Sequence, residues 1–229
     1  HERLVGSEMC IRDSYKDYVL PVMFVKYLSD SYTDAVEELS KQYSGIRLER
    51  QKKYLPFMVA EGCSFYDLYQ QRFADNIGQL MNAAMRQIEA DNNQQLAGVL
   101  SAVDYNSENA LGTREHKNAI LRDLLEDFEP LDLRPSAIEV KEGQVPADVI
   151  GDAYEYMIGQ FASMAGKKAG SFYTPAAVSE IMARIVDVQP GERVYDPTCG
   201  SGSLLIKAAK KQNSKEVSLS LIHISEPTR

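Results

Sequence analysis

Glu192-Arg-Val-Tyr-Asp-Pro-Thr-Cys-Gly-Ser-Gly-Ser203 (ERVYDPTCGSGS) is the stretch on which the fold class turns. Glu192 to Asp196 reads as a short β-strand, Pro197 to Gly202 as a glycine-containing loop, and Ser203 to Lys211 as a helix. Strand, loop and helix in that order open an α/β unit with a parallel sheet. The loop then falls where the carboxyl end of a strand meets a helix amino terminus, the usual ligand-binding edge of such a sheet. Gly200 and Gly202 tolerate positive φ and put no side chain between backbone and ligand. Asp196 adds a carboxylate, which suits a cationic ligand better than a phosphate. S-adenosylmethionine, with its ammonium and sulfonium groups, has that polarity. The loop departs from Gly-x-Gly-x-x-Gly and has no Lys after its second glycine, which counts against dinucleotides and nucleoside triphosphates. Read alone, a Gly-x-Gly loop is equally a structural turn.

Upstream, Pro190-Gly191 turns the chain, and before it Thr174 can cap a helix that carries Pro175 at its first position. Val178, Ile181, Met182, Ile185 and Val186 are expected to form the buried stripe of that helix. Gly166 to Gly170 is a basic turn, and the preceding helix bears Ile150, Ala153, Tyr154, Met157, Ile158 and Phe161 at core-packing intervals. Between Leu131 and Pro146 the pattern lapses, with Pro135, Gly143 and Pro146 as punctuation, and a domain boundary is expected there. The first half has a different texture. Val19, Met23, Val25, Leu28, Tyr32, Val36 and Leu39 recur at helical spacing over Tyr15 to Tyr43, with a kink expected at Pro21. Tyr54 to Ala60 suits an extended segment or turn because it contains Pro56. Helical patterns follow over Phe65 to Phe73, Ile77 to Ala90 and His116 to Phe128.

The two ends share a peculiarity. Leu219 to Arg229 (LSLIHISEPTR) and Leu4 to Asp13 (LVGSEMCIRD) can be encoded by opposite strands of one short DNA sequence. Both read as a sequencing adapter translated at each end, so residues 1–14 and 219–229 are set aside as non-native tails. What remains is expected to be a gene fragment. The formal net charge is −8 for the whole chain, and trimming leaves it acidic. That balance opposes non-specific attraction to nucleic acid, so any DNA contact needs a partner, further sequence or a local basic patch. Outside the tails only Cys63, Cys199 and His116 remain of the cysteines and histidines. Two unpatterned cysteines suit a reducing cytosol, and one histidine builds no metal site. No apolar run approaches the roughly 18–20 residues of a membrane span, and a cytoplasmic protein is expected.

Gly170-Ser-Phe-Tyr-Thr-Pro175 precedes the glycine loop by about 20 residues. Alone, Thr174 is a helix cap, and Phe172 and Tyr173 are core. The ordered pair of motifs, however, closely resembles the opening of the methylation subunit of type I restriction-modification systems, a family of DNA adenine-N6 methyltransferases. Tyr15-Lys-Asp-Tyr-Val-Leu, Phe24-Val-Lys-Tyr-Leu-Ser-Asp and Gly151-Asp-Ala-Tyr-Glu-Tyr are similar to the same family, so the resemblance covers nearly all of residues 15–211.

The resemblance implies a helical N-terminal assembly domain over 15–134. The truncated start of an α/β Rossmann-like, S-adenosylmethionine-dependent methyltransferase domain would follow over 147–218. It implies a cofactor site of Asp196, Gly200 and Gly202, with Thr198 and Ser201 in the same loop, closed by Phe172, Tyr173, Thr174 and Pro175. Ser203 is a loop donor or a helix cap. Cys199, with no His or Lys nearby in sequence to activate it, is a small loop residue, because family chemistry transfers the methyl group directly to the adenine amino nitrogen. The implied partners are DNA, a specificity subunit, a restriction subunit and a second methylation subunit. The family's Asn-Pro-Pro-aromatic run, which orients the flipped adenine, occurs nowhere in the 229 residues. The polypeptide as given is therefore expected to be inactive. Two alternatives stay open: a non-catalytic helical interaction module, and a methyltransferase acting on a substrate other than DNA.

Overall fold

A computed structural model describes residues 2–140, 146–164, 174, 176–189, 192–196 and 203–211. It divides into two compact units, 1–154 and 155–229. Ten helices lie among the described residues: α1 (Glu2–Gln42), α2 (Gly45–Lys52), α3 (Phe65–Gln70), α4 (Ile77–Asp91), α5 (Asn93–Leu96), α6 (Glu108–Leu111), α7 (Arg114–Phe128), α8 (Pro146–Met164), α9 (Ala176–Val186) and α10 (Ser203–Lys211).

The first unit is organised around α1. From Tyr18 to Asp30 its buried residues are Tyr18, Val19, Leu20, Val22, Met23, Val25, Lys26, Leu28, Ser29 and Asp30. These positions run round most of the helix circumference, which marks a central rather than a surface helix. The expected stripe therefore continues only in part: Tyr32, Val36 and Leu39, near the end of α1, are half-buried. Pro21 lies inside the helix without ending it, and the helical backbone is continuous from Glu2 across the expected tail boundary at Ser14. Around α1 pack α2, α3, α6 and α7, with α4 against α3 and α7. Ile77, Met81, Ala84, Met85 and Ile88 form the buried face of α4 at i, i+4, i+7, i+8 and i+11. Leu121, Leu124, Leu125 and Phe128 do the same on α7.

Charged residues sit inside this apolar assembly. Lys26 and Asp30, one turn apart on α1, are 0% and 1% exposed. The Lys26 ammonium donates to both Asp30 oxygens, at 2.9 and 2.7 Å, and to the Tyr66 hydroxyl at 2.8 Å. Tyr66 in turn donates to Asp30 Oδ1 at 2.6 Å, closing a triangle between α1 and α3. The Leu133 amide donates to Asp30 Oδ2 at 2.8 Å. One turn further along α1, Asp34 accepts from the Ser136 amide at 2.9 Å and hydroxyl at 2.7 Å. Two carboxylates of α1 thus hold the segment that follows α7.

Ser29 completes the junction with α3. Its hydroxyl donates to the Val25 carbonyl at 2.8 Å and accepts from the Phe65 amide at 2.9 Å. Ser64 and Asp67 form a reciprocal capping box over the same helix start. The junction therefore satisfies first-turn amides that α3 cannot pair internally.

Loops are anchored in the same way, by side chains on helices. Asn92 holds the Met58 amide at 2.8 Å and donates to the Met58 carbonyl at 2.7 Å. Glu89 accepts from the amides of Gly98 and Ser101. The Tyr105 amide donates to Asn82 at 2.9 Å, and the fully buried Tyr105 hydroxyl donates to the Tyr18 carbonyl at 2.8 Å. Gly78 is what lets the Tyr105 segment lie on α4, since a Cβ there would stand 2.5 Å from the Tyr105 carbonyl oxygen.

The second unit departs from expectation at Glu192 to Asp196. That segment is irregular, and no β-strand occurs among the described residues. The physical reason is that a strand exists only through a hydrogen-bonded neighbour, and the described residues offer none. The helices on either side form as expected, because their hydrogen bonds are internal.

Two outcomes follow for the first unit. Lys26→Met leaves the Asp30 carboxylate buried without its cation and should cost about 3–5 kcal/mol in denaturant unfolding; adding Asp30→Asn should recover part of that loss. Gly78→Ala should lower the unfolding midpoint, because about 1–3 kcal/mol of overpacking outweighs the roughly 1 kcal/mol gained in helix propensity.

Candidate functional site

Both sequence motifs enter the helix pair α9–α10. The two helices pack on each other, and the buried residues there are Ser179 and Ala183 on α9, Val188 after it, and Leu205 and Ala208 on α10. Ser179 and Ala183 are one turn apart and small, so they allow close approach of the α10 face. At the end of α9 the Asp187 amide donates to the Ala183 carbonyl at 3.2 Å, and Asp187 has φ of 48°. A left-handed residue just past the last turn is the usual device for ending a helix, and Asp is one of the few residues that adopts it readily. The turn is then closed by the Gln189 amide donating to the Glu192 carboxylate at 2.9 Å and the Glu192 amide to the Gln189 carbonyl at 3.0 Å. It delivers the chain into the segment that ends at Asp196.

The expected buried stripe of α9 is corrected by the structure. Val178, Ile181, Met182, Ile185 and Val186 are exposed, Ile181 to 56% and Ile185 to 76%. The apolar spacing does describe one side of an amphipathic helix, but α10 covers a different side, the one carrying Ser179 and Ala183. The periodicity found the apolar face without finding its cover.

Of the expected cofactor residues, Thr174 and Asp196 are described, and both are half-buried, which leaves them reachable by a ligand. The Thr174 carbonyl accepts from the Ser179 hydroxyl at 3.5 Å, tying the end of the motif to the first turn of α9. Phe172, Tyr173, Pro175, Thr198, Gly200, Ser201 and Gly202 lie outside the described residues, as does Cys199. Near the Gly151-Asp-Ala-Tyr-Glu-Tyr motif on α8, burial and then the Asp17 carboxylate hold the Tyr154 phenol above its usual range.

The described residues also contain a cleft of about 220 Å³ in the first unit, lined by Arg72, Phe73, Asp75, Arg114, Asn118 and Arg122. It involves neither motif. Arg72 pairs with Glu126 at 3.0 Å and Arg122 with Asp123 at 3.2 Å, so two of its three guanidinium groups are already neutralised. Among the described residues no group of three or more His, Cys, Asp and Glu could hold a metal ion. No described helix is long and apolar enough to cross a membrane.

Comparison with known proteins matches two parts of the chain to two family models. Residues 145–225 match the N-6 DNA Methylase family, and residues 5–128 match the HsdM N-terminal domain. The MjaVIII methylase subunit of a type I restriction enzyme from Methanocaldococcus jannaschii is 29% identical over 194 residues, covering 82% of this chain and 31% of the relative. The MpnII methylase subunit from Mycoplasma pneumoniae is 38% identical over 120 residues, 51% of this chain and 21% of the relative. Among solved structures, the type I restriction-modification system methyltransferase subunit from Streptococcus thermophilus aligns with a TM-score of 0.63 at 26% identity, covering 93% of this chain and 49% of that one. The chain thus spans about a third of the length of the first curated relative. With over half of its residues matched by the HsdM N-terminal domain, the chain belongs to the family of methylase subunits of type I restriction-modification systems.

Proposed function

We propose that this chain serves in transfer of a methyl group from S-adenosylmethionine to the N6 amino group of adenine in DNA, as the methylation subunit of a type I restriction-modification complex. The observation that carries the reading is the ordered pair of motifs, Phe172 to Pro175 and Asp196 to Ser203, inside the region matched by the N-6 DNA Methylase family. In this reading residues 15–134 form the assembly domain and residues 147–218 open the methyltransferase domain. The specificity subunit, the restriction subunit and a second methylation subunit are the proposed protein partners.

The donor set suits the cofactor. A half-buried carboxylate at Asp196 keeps enough desolvation to strengthen a charge-assisted contact while staying accessible. It complements an ammonium or sulfonium group, whereas a phosphate would be repelled. When bound, the cofactor supplies the electrophilic methyl group. The chain's own contribution is to bind and orient: Asp196 engages the methionine portion, Gly200 and Gly202 permit close backbone approach, and Thr174 with its neighbours covers the methionine end. Flipped-base recognition requires its own pocket, and the run assigned to that task by resemblance, Asn-Pro-Pro-aromatic, is absent from these 229 residues. We therefore expect cofactor binding without base methylation from this polypeptide alone.

Isothermal titration of the 229-residue chain with S-adenosylmethionine tests the reading. Binding heat is expected, and Asp196→Ala should weaken affinity at least tenfold, about 1.4 kcal/mol. Absence of binding would favour the helical interaction module instead. Methylation of duplex DNA by this chain alone would overturn the assignment of base recognition to the missing run.

A further inference from the structure

The acidic chain concentrates positive charge in one short element. Lys41 to Tyr54 carries five cations, Lys41, Arg47, Arg50, Lys52 and Lys53, against a single carboxylate, Glu49, in a protein of net charge −8. α2 lies in the middle of this stretch and contributes no buried residue. It contacts α1, and Leu48 is its half-buried apolar side chain.

Helical geometry sorts these charges. At 100° per residue, Ile46, Arg47, Arg50, Lys53 and Tyr54 fall within about a third of the circumference, opposite Leu48. Lys53 keeps helical φ and ψ of −65° and −13°, and the Tyr54 amide still donates to the Gln51 carbonyl at 3.0 Å, so the face runs past the last residue of α2. All five side chains on it are exposed, Ile46 to 77% and Tyr54 to 83%. The cations that lie off this face are committed, Lys41 to Glu38 and Lys52 to Glu49. Among the described residues Arg47, Arg50 and Lys53 form no ion pair, and the Arg47 guanidinium rests 5.1 Å above the Tyr43 ring. The contrast with the Arg72–Arg122 cleft is plain, because there the acids are already in place.

Three cations without an acidic partner among the described residues lie on one face, two of them guanidinium groups, and they fit a row of phosphates. Guanidinium forks match phosphate oxygens bidentately. From residue 47 to residue 53 the helix rises about 9 Å, so that its three long cationic side chains can reach neighbouring phosphates of one DNA strand. We infer that the outer face of α2, Arg47, Arg50 and Lys53 with Ile46 and Tyr54, is a contact surface for the phosphate backbone of duplex DNA. The inference rests on the reading of this chain as part of a DNA methyltransferase. It locates the local basic patch that an acidic subunit needs in order to approach its substrate.

Fluorescence anisotropy of the 229-residue chain with a labelled duplex, titrated with NaCl, decides the matter. The triple variant Arg47→Gln, Arg50→Gln, Lys53→Gln should bind at least tenfold more weakly at low salt, and the slope of log K against log[salt] should shrink by about 2–3, at roughly 0.9 for each phosphate no longer neutralised. A control removing three charges elsewhere, Arg86→Gln, Arg114→Gln, Arg122→Gln, should leave the slope near the parent value. Because α2 buries no side chain, the far-ultraviolet circular dichroism of the α2 variant should match the parent. Equal losses in both triples, no loss in either, or a parent that binds no duplex would overturn the inference. So would a parent that binds poly-glutamate as tightly as DNA through the same three residues, since the face would then serve an acidic protein. Titration of the same proteins with S-adenosylmethionine separates the two readings: a chain that binds duplex through α2 but no cofactor would refute the cofactor site and leave the surface standing.

Discussion

The first unit depends on an ion pair with no access to solvent. Lys26 and Asp30 belong to one helix, and a pair at i and i+4 could have been an ordinary surface decoration worth a few tenths of a kcal/mol. Here both groups are buried and every strong valence is used: three donors of the ammonium on two carboxylate oxygens and a phenol, and the carboxylate shared among ammonium, phenol and the Leu133 amide. Desolvating two charges costs several kcal/mol per ion, which such a pair repays only when the remaining hydrogen-bonding capacity is filled. Tyr66 and Leu133 fill it, and they come from α3 and from the segment after α7. The pair therefore fixes where those two elements meet α1, something apolar contacts alone would not specify to one register.

The same division of labour recurs across the unit. Apolar faces of α4 and α7 supply area, while Asn82, Glu89, Asn92 and Lys117 supply addresses for loop backbone. Lys117, itself buried, donates to both the carbonyl and the side-chain oxygen of Asn106 at 3.1 and 2.7 Å. Two of the carboxylates that accept loop amides, Glu89 and Asp104, are held below the ordinary carboxylate range. Glu89 lies below the usual carboxylate range, because the hydrogen bonds from the 98–101 segment together outweigh the opposing effect of burial. Asp104 lies below it chiefly through the Asn82 amide. For both groups the stabilisation is full above the unfolded-state value and is lost as pH falls through the depressed folded value, so the loops they hold are an acid-sensitive part of the unit.

What could be read from the sequence follows from where each element's hydrogen bonds are made. α4, α7 and α10 were legible to within two residues, and so was the start of α9, since a helix pairs its own backbone and its apolar period is local. α2, α5 and α6 were not, because each is short and α2 has no buried face to announce it. Lys26 and Asp30 stand one turn apart in the sequence, and only the burial of α1 on nearly all sides shows that both lie inside. The strand expected at Glu192 to Asp196 does not form among the described residues, since Val194 and Tyr195 need a neighbouring strand that no local rule provides. Likewise the α9 stripe is apolar as its spacing indicates, but it is exposed where burial was expected.

That last discrepancy bears on how the two units differ physically. In the first unit the helices around α1 bury one another, so its pattern and its packing agree. In the second, Ile181, Ile185 and Val186 of α9 and Ile206 of α10 remain exposed although both helices are strongly one-sided in sequence. The charge pattern differs as well: the first unit leaves Arg47, Arg50 and Lys53 exposed because none of them is needed to hold its core, and that face is free to be shaped by a partner.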